Sequence, residues 1–280
     1  MQIETLSSVD STNSEMKRRA QETKIANEFV LRAQEQTKGR GRGKRTWNSY
    51  PGQSLAASYW IELNDQEDLT SKWVSSLPLV VGLATVRAAQ KRLLSLGRNR
   101  KTLERVGLKW PNDVLVKDQG KLAGILCELV HNRCNFGVIA GIGVNLQDST
   151  GALRHLPRPA AVWSESFVDN WTAPEACQDI GRELFLLVKE LAAHGFASLA
   201  QEWYAHCLHK EMDTAVSIGL APKDSDFQGG SVYWGDKAVA LSLSQGIKVG
   251  KTVGLGEQGQ LLLRSEEGQT FSVTIGDVSF

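Results

Sequence analysis

The sequence predicts an α+β fold, a larger domain of mixed helices and strands followed by a small all-β unit. Three observations carry this reading. Leu77 to Leu96 sets apolar residues at helical spacing. Leu103 to Leu146 breaks into four short strand-like pieces. Beyond Gln228 only short β-branched runs remain, punctuated by glycine. A chain of 280 residues suits one large domain, or one with an appendage. The boundary is placed so that residues 1–227 form the larger domain and 228–280 the β unit.

A first helix is signalled from Thr12 to about Glu22, with Thr12-Asn13-Ser14-Glu15 reading as a capping box. A strand follows at Glu28 to Gln34 and another at Gln53 to Leu63. The long helix from Leu77 carries Leu79, Leu83, Val86 and Leu93 on its apolar face and gathers basic residues towards its end, where the macrodipole favours them. The meander pieces are GLKW, VLVK, KLAGILCELV and FGVIAGIGVNL, separated by turn signals such as Pro111-Asn112-Asp113. Residues from about Glu175 to His206 read as one or two amphipathic helices. The last runs (SVYW, AVALSL, TVGLG, QLLLR, TFSVTI) suit a small antiparallel barrel packed on a larger domain.

Composition narrows the function. Lys and Arg number 32 against 31 Asp and Glu, a formal net charge of +1. That balance argues against a protein that wraps nucleic acid over its whole surface, but it hides distribution. Between Gln36 and Ile61 lie Lys38, Arg40, Arg42, Lys44 and Arg45 with no acid, leaving 27 basic against 31 acidic residues elsewhere. The first ten residues have neither the basic nor the apolar segment of a signal peptide, and no apolar run is long enough to span a membrane. Four cysteines without a CxxC pair argue against a zinc site or a disulfide scaffold, and a reducing cytoplasm fits.

Gln36-Thr37-Lys38-Gly39-Arg40-Gly41-Arg42-Gly43-Lys44-Arg45-Thr46-Trp47 is the most informative stretch. Alternate glycines leave the backbone little reason to hold one conformation, and the arginines between them match phosphate or carboxylate oxygens. Three readings stand at this level: a loop closing over an anionic small ligand, a nucleic-acid contact, or a solvated basic loop. Lys109-Trp110-Pro111-Asn112-Asp113 is a tight turn that holds a lysine, an amide and a carboxylate together, or a plain hairpin with a packed tryptophan. Lys121 opens an otherwise apolar strand, which is unfavourable unless it meets a partner or ligand. Gly124 inside that strand marks a bulge or a close approach. Gly141 to Asn145 repeats the pattern of small residues ending in an amide.

Taken together and in order, Ser11-Thr12-Asn13, Gln36 with Gly39 to Arg42 and Trp47, Lys109 to Asp113, Lys121 to Leu126, and Gly141 to Asn145 resemble biotin protein ligases. The C-terminal segment is more loosely similar to the SH3-like domain of that family, through Gly256, Gly259-Gln260-Leu261 and Gly276-Asp277-Val278. Gly43-Lys44 departs from the family pattern, where the glycine commonly falls one place later.

The resemblance implies a catalytic domain like that of class II aminoacyl-tRNA synthetases with an SH3-like C-terminal barrel. It implies activation of biotin with ATP and Mg²⁺ to biotinyl-5′-AMP, then transfer to a lysine of the biotin carboxyl carrier protein of acetyl-CoA carboxylase. Ser11, Thr12, Asn13 and Gln36 are implied to meet biotin, with Arg40, Gly41, Arg42, Lys121, Gly124 and Gly143 around it. Arg40, Arg42, Lys121 and Asn145 are implied to meet the adenylate. Lys121 and Arg40 would supply fixed positive charge to the reaction. Asp113 is the candidate for orienting the acceptor lysine and taking its proton. Because these motifs begin at Ser11, no helix-turn-helix is expected ahead of them. Neither operator DNA nor a membrane is an expected partner, and monomer and homodimer both stay open.

Overall fold

The computed structural model describes residues 1–43, 45–63, 74–217 and 247–280. Its larger part is built on one mixed sheet of seven strands. These are β1 (Gln2–Val9), β2 (Phe29–Gln36), β3 (Ser54–Glu62), β4 (Val106–Lys109), β5 (Asp113–Val116), β6 (Gly120–His131) and β7 (Phe136–Asn145). Their spatial order is β1-β2-β3-β7-β6-β5-β4. Only the β1–β2 pair is parallel; the neighbouring pairs from β2 onward run antiparallel, and among them β4–β5, β5–β6 and β6–β7 form the expected meander.

Helices cover both faces. On one lies α1 (Thr12–Glu22), which places Met16 and Ala20 against Leu31, Trp60 and Ile139. On the other lie α2 (Leu77–Ser95) and α5 (Ala173–His194), with the short α3 (Arg100–Leu103), α4 (Trp163–Phe167) and α6 (Ala197–Ala205) completing the set among the described residues. The main core brings Leu83 and Val86 of α2 and Ile180 and Leu184 of α5 onto Tyr59, Val138 and Ala140 of the sheet. Two-residue periodicity divides the faces cleanly. Along β7, Val138, Ala140, Ile142 and Val144 join the main core, whereas Ile139 faces α1 with Gly141 and Gly143 on its side.

Helix α1 begins where expected but not through a capping box. Its N-cap is Ser11, without a side-chain cap bond. The Thr12 hydroxyl donates to Gln36 Oε1 (3.1 Å) instead, and Glu15 pairs with Arg18 and Arg19. A tertiary partner has displaced the local one. Among the described residues a capping box sits instead at Thr172–Glu175, where it opens α5.

A second, antiparallel sheet is ordered β11-β10-β9-β8-β12, from β8 (Asp213–Ser217), β9 (Ile247–Leu255), β10 (Leu261–Arg264), β11 (Thr270–Val273) and β12 (Asp277–Ser279). The expected boundary at 227/228 and the runs at 231–234 and 238–243 fall outside the described residues. Val216, Leu261, Leu263, Val273 and Val278 belong to the same core as the large sheet, so the two sheets share one hydrophobic interior.

A buried histidine joins them. His209 Nε2 accepts the Trp110 backbone N–H (3.2 Å), which places the proton on Nδ1 facing Thr252 Oγ1 (3.1 Å). Thr252 reaches Thr214 Oγ1 (2.8 Å), and Thr214 donates to the Met212 carbonyl. The Trp110 indole N–H donates to the Gly259 carbonyl (3.0 Å). Burial, then the charge of Lys109, pushes the His209 imidazole down to about 3. The unfolded chain therefore takes up a proton near pH 6.5 that the folded chain refuses until about pH 3, and stability declines as pH falls through that window. Urea unfolding between pH 7 and pH 4 is expected to show a loss of at most about 1.4 kcal/mol per pH unit from this group. His209→Gln should flatten that slope; an unchanged slope would contradict the assignment.

Candidate active site

The cleft lies on the α1 face of the large sheet, and the strand registers make it. Across β6, β7 and β3 the facing rows are Gly124, Gly143, Ala56 and then Leu126, Gly141, Ser58. The next row, Glu128, Ile139, Trp60, carries full-sized side chains. Apart from Leu126 the first two rows are of small residues, over which Asn13 and Trp47 pack, and the third row closes that end of the cleft. The hollow over these rows measures about 640 Å³ with its open mouth counted.

One end is walled by the start of α1. Ser11, Thr12 and Asn13 are buried, an unusual fate for three polar residues, and the side chains of Thr12 and Asn13 are tied by specific bonds. Gln36 Oε1 accepts both the Thr12 N–H (2.8 Å) and its hydroxyl. Asn13 Nδ2 donates to the Leu126 carbonyl (3.1 Å) and to Glu128 Oε2 (2.8 Å). The Ser58 hydroxyl lies 2.6 Å from Asn13 Oδ1 and 2.8 Å from Thr12 Oγ1. Gly141 is required here, because a Cβ on it would stand 2.2 Å from Asn13 Oδ1.

The glycine–arginine segment forms the opposite wall and is more ordered than its composition predicts. Gly41 N–H donates to the Arg45 carbonyl (2.7 Å) and Trp47 N–H to the Gly39 carbonyl (3.0 Å), with Arg40 and Thr46 bridged antiparallel. Gly43 takes φ +63°, a turn conformation that favours glycine, so the family departure puts glycine where this loop needs it. Lys44 lies outside the described residues.

Each described loop arginine meets a carboxylate from elsewhere. Arg40 Nη2 binds Glu128 Oε2 (2.6 Å). Arg45 makes a forked pair with Asp277, at 3.2 Å through Nη1. Arg42 lies 3.5 Å from the same carboxylate and donates to the Gly276 carbonyl (3.3 Å) and to Asn112 Oδ1 (3.1 Å). Burial works to raise the Asp277 carboxyl, but Arg45, Arg42 and Arg158 prevail and hold it below the usual range.

The floor carries Lys121, whose Nζ is 2.6 Å from Asp113 Oδ1, the partner its place in an apolar strand demanded. Gly124 and Gly143 leave room for Trp47: a Cβ at Gly143 would stand 2.2 Å from its indole, and Lys121 Nζ lies 5.8 Å from its ring. Asn145 sits apart from the lining residues. Its buried amide donates to the Lys121 carbonyl (3.1 Å) and the Ala161 carbonyl (3.2 Å), tying β6 to the following loop. The remaining sequence-derived ligand residues line or border one cleft. Glu128, Ser58 and the partnership of Asp277 were not foreseen. The available signal for Glu128 was periodicity, since it lies four residues beyond Gly124 and so on the same strand face.

A cleft with a polar end, a small-residue floor and a rim of paired cations is chemically suited to an anionic small molecule. The Biotin/lipoate A/B protein ligase family profile matches residues 6–145, and the chain belongs to that family. The biotin–[acetyl-CoA-carboxylase] ligase of Paracoccus denitrificans is 31% identical over 229 residues, 80% of this chain and 88% of that protein. The enzyme of the same name from Mycobacterium tuberculosis is 32% identical over 145 residues, 52% of this chain and 49% of its own length. The bifunctional ligase/repressor BirA of Bacillus spizizenii is 26% identical over 238 residues, 84% of this chain but 61% of that protein. The chain thus spans about half to three-fifths of these last two relatives. In fold it is similar to the biotin protein ligase of Aquifex aeolicus solved with biotin and ATP, with a TM-score of 0.70, 24% identity, and coverage of 99% of this chain and 97% of that one.

Asp277→Asn removes the ionic anchor of Arg42 and Arg45 while preserving size. Limited trypsin digestion is expected to cleave at residues 42–45 several-fold faster in this variant. Equal cleavage rates would show that the C-terminal sheet does not restrain the loop.

Proposed function

We propose that the protein is a biotin–protein ligase that converts biotin and ATP to biotinyl-5′-AMP and pyrophosphate, then transfers biotin to a lysine of a biotin carboxyl carrier protein. The observation that carries this reading is the convergence on one cleft of Arg40, Arg42 and Lys121 with the buried Ser11–Asn13 corner. The family and the names of its relatives support it. The acceptor named by those relatives is acetyl-CoA carboxylase, whose carrier is the expected partner in the cytoplasm.

In this reading the neutral polar corner takes the biotin head group. The biotin carboxylate points towards Lys121 and the arginines, and a carboxylate oxygen attacks the α-phosphorus as the bond to pyrophosphate breaks. Both reactants are anions, so their approach in a partly dry site needs fixed cations. Lys121 and the loop arginines are those cations, exchanging protein carboxylates for ligand oxygens. The loop and Trp47 would also keep water from the mixed anhydride. Once the acyl-adenylate has formed, Asp113 would receive the proton of an incoming lysine ammonium. The neutral amine then attacks the acyl carbon and AMP leaves. Among the described residues no three His, Cys, Asp or Glu side chains gather as a metal site. Mg²⁺ would accompany the nucleotide and offset pyrophosphate charge.

Exchange of labelled pyrophosphate into ATP tests the first half-reaction. Exchange is expected with biotin and not with lipoate, and Lys121→Ala should lower it by about 10²–10³-fold. Exchange driven by lipoate alone would move the protein to the lipoate side of its family, and a fully active Lys121→Ala would remove the role given to that lysine.

A further inference from the structure

We infer that Glu128 is a positioning residue that couples the arginine loop to the head-group corner of the cleft, holding Arg40 and setting the rotation of the Asn13 amide with a single carboxylate oxygen. This rests on the biotin ligase reading of the cleft and adds a residue that no part of that reading uses.

Arg40 Nη2 and Asn13 Nδ2 lie 2.6 Å and 2.8 Å from the same atom, Glu128 Oε2. The two donors come from different walls, one from the loop and one from α1. Arg40 and Asn13 both line the cleft, whereas Glu128 stands behind them in the closing row of the sheet. It therefore acts through its partners.

A carboxylate can only accept hydrogen bonds, so it dictates which end of the Asn13 amide faces β6. The NH₂ group must turn to Glu128 and to the Leu126 carbonyl, which leaves Oδ1 facing the Ser58 hydroxyl and the Gly141 backbone. A flipped amide would set its oxygen against two acceptors. The head-group corner therefore presents one donor–acceptor pattern, fixed by Glu128 together with the Leu126 carbonyl. The same oxygen draws Arg40 across the mouth, so loop docking and corner geometry share one counter-ion. Removing it releases both.

Biotin binding by isothermal titration tests this on the full chain, with Glu128→Ala, Arg40→Ala, Asn13→Ala and the two double variants that contain Glu128→Ala. Glu128→Ala is expected to weaken biotin at least tenfold and to raise the KM for biotin more than it lowers kcat. Each double variant should lose less than the product of its two single losses, as coupled groups do. Glu128→Gln, which keeps size and one acceptor but not charge, is expected to fall between wild type and alanine, at least threefold weaker than wild type. It also answers the question should the alanine variant fail to fold. Biotin affinity within twofold of wild type in the glutamine variant, or single losses that multiply independently in both cycles, overturns the inference. Failure of the wild-type protein to bind biotin at all would instead overturn the functional reading beneath it.

Discussion

Positive charge kept ready beside a small cleft is unfavourable until a ligand arrives, and the site is organised around supplying that charge with temporary counter-ions. Arg40 meets Glu128, Arg42 and Arg45 meet Asp277, and Lys121 meets Asp113. Two unit charges about 4 Å apart interact by about 4 kcal/mol at the effective dielectric of a protein surface, so unpaired neighbouring cations would push the loop away from the floor. Pairing each with a carboxylate holds the wall in place. It also leaves each cation able to exchange one anionic oxygen for another, as the proposed binding of a carboxylate and a triphosphate would require.

Those carboxylates give the fold its purpose. Glu128 is delivered by β6, Asp113 by the turn that opens β5, and Asp277 by the first residue of β12. The C-terminal sheet is consequently more than an appendage. It shares the hydrophobic interior of the larger sheet, is pinned to the Trp110 turn through His209 and the Gly259 carbonyl, and reaches back to anchor the loop. The same turn carries Asn112, which binds Arg42 and is itself fixed to Ile125 on β6. One short turn thus links both sheets, the loop and the cleft floor.

Much of this was legible in the sequence because it is local. Helix α1 and helix α2 carry their own periodicity, and the β4–β7 meander carries its own turns. The ligand motifs mark glycines whose missing Cβ atoms let Asn13 and Trp47 pack against the sheet. What escaped was set by distance along the chain. β1 reads as polar because it is an edge strand with both faces largely exposed, so no apolar alternation announced it. The Thr12 capping box gave way to Gln36, 24 residues away. Arg40 and Glu128 are separated by 88 positions and Arg45 and Asp277 by 232, and no window of a single sequence shows such pairs. Composition made the loop look unconstrained, yet its restraints come from elsewhere in the chain.

The ion pairs of Arg40, Arg42 and Arg45 dock the glycine–arginine loop through protein carboxylates. Hydrogen–deuterium exchange of the ligand-free protein tests this docking directly at the Gly41 and Trp47 amides, which donate within the loop. Docking requires these amides to exchange at least about tenfold more slowly than an unstructured chain, with further slowing when biotin and ATP are added. Exchange at the unstructured rate without ligand, with protection appearing only on binding, would show that the ligand organises the loop and would contradict the account.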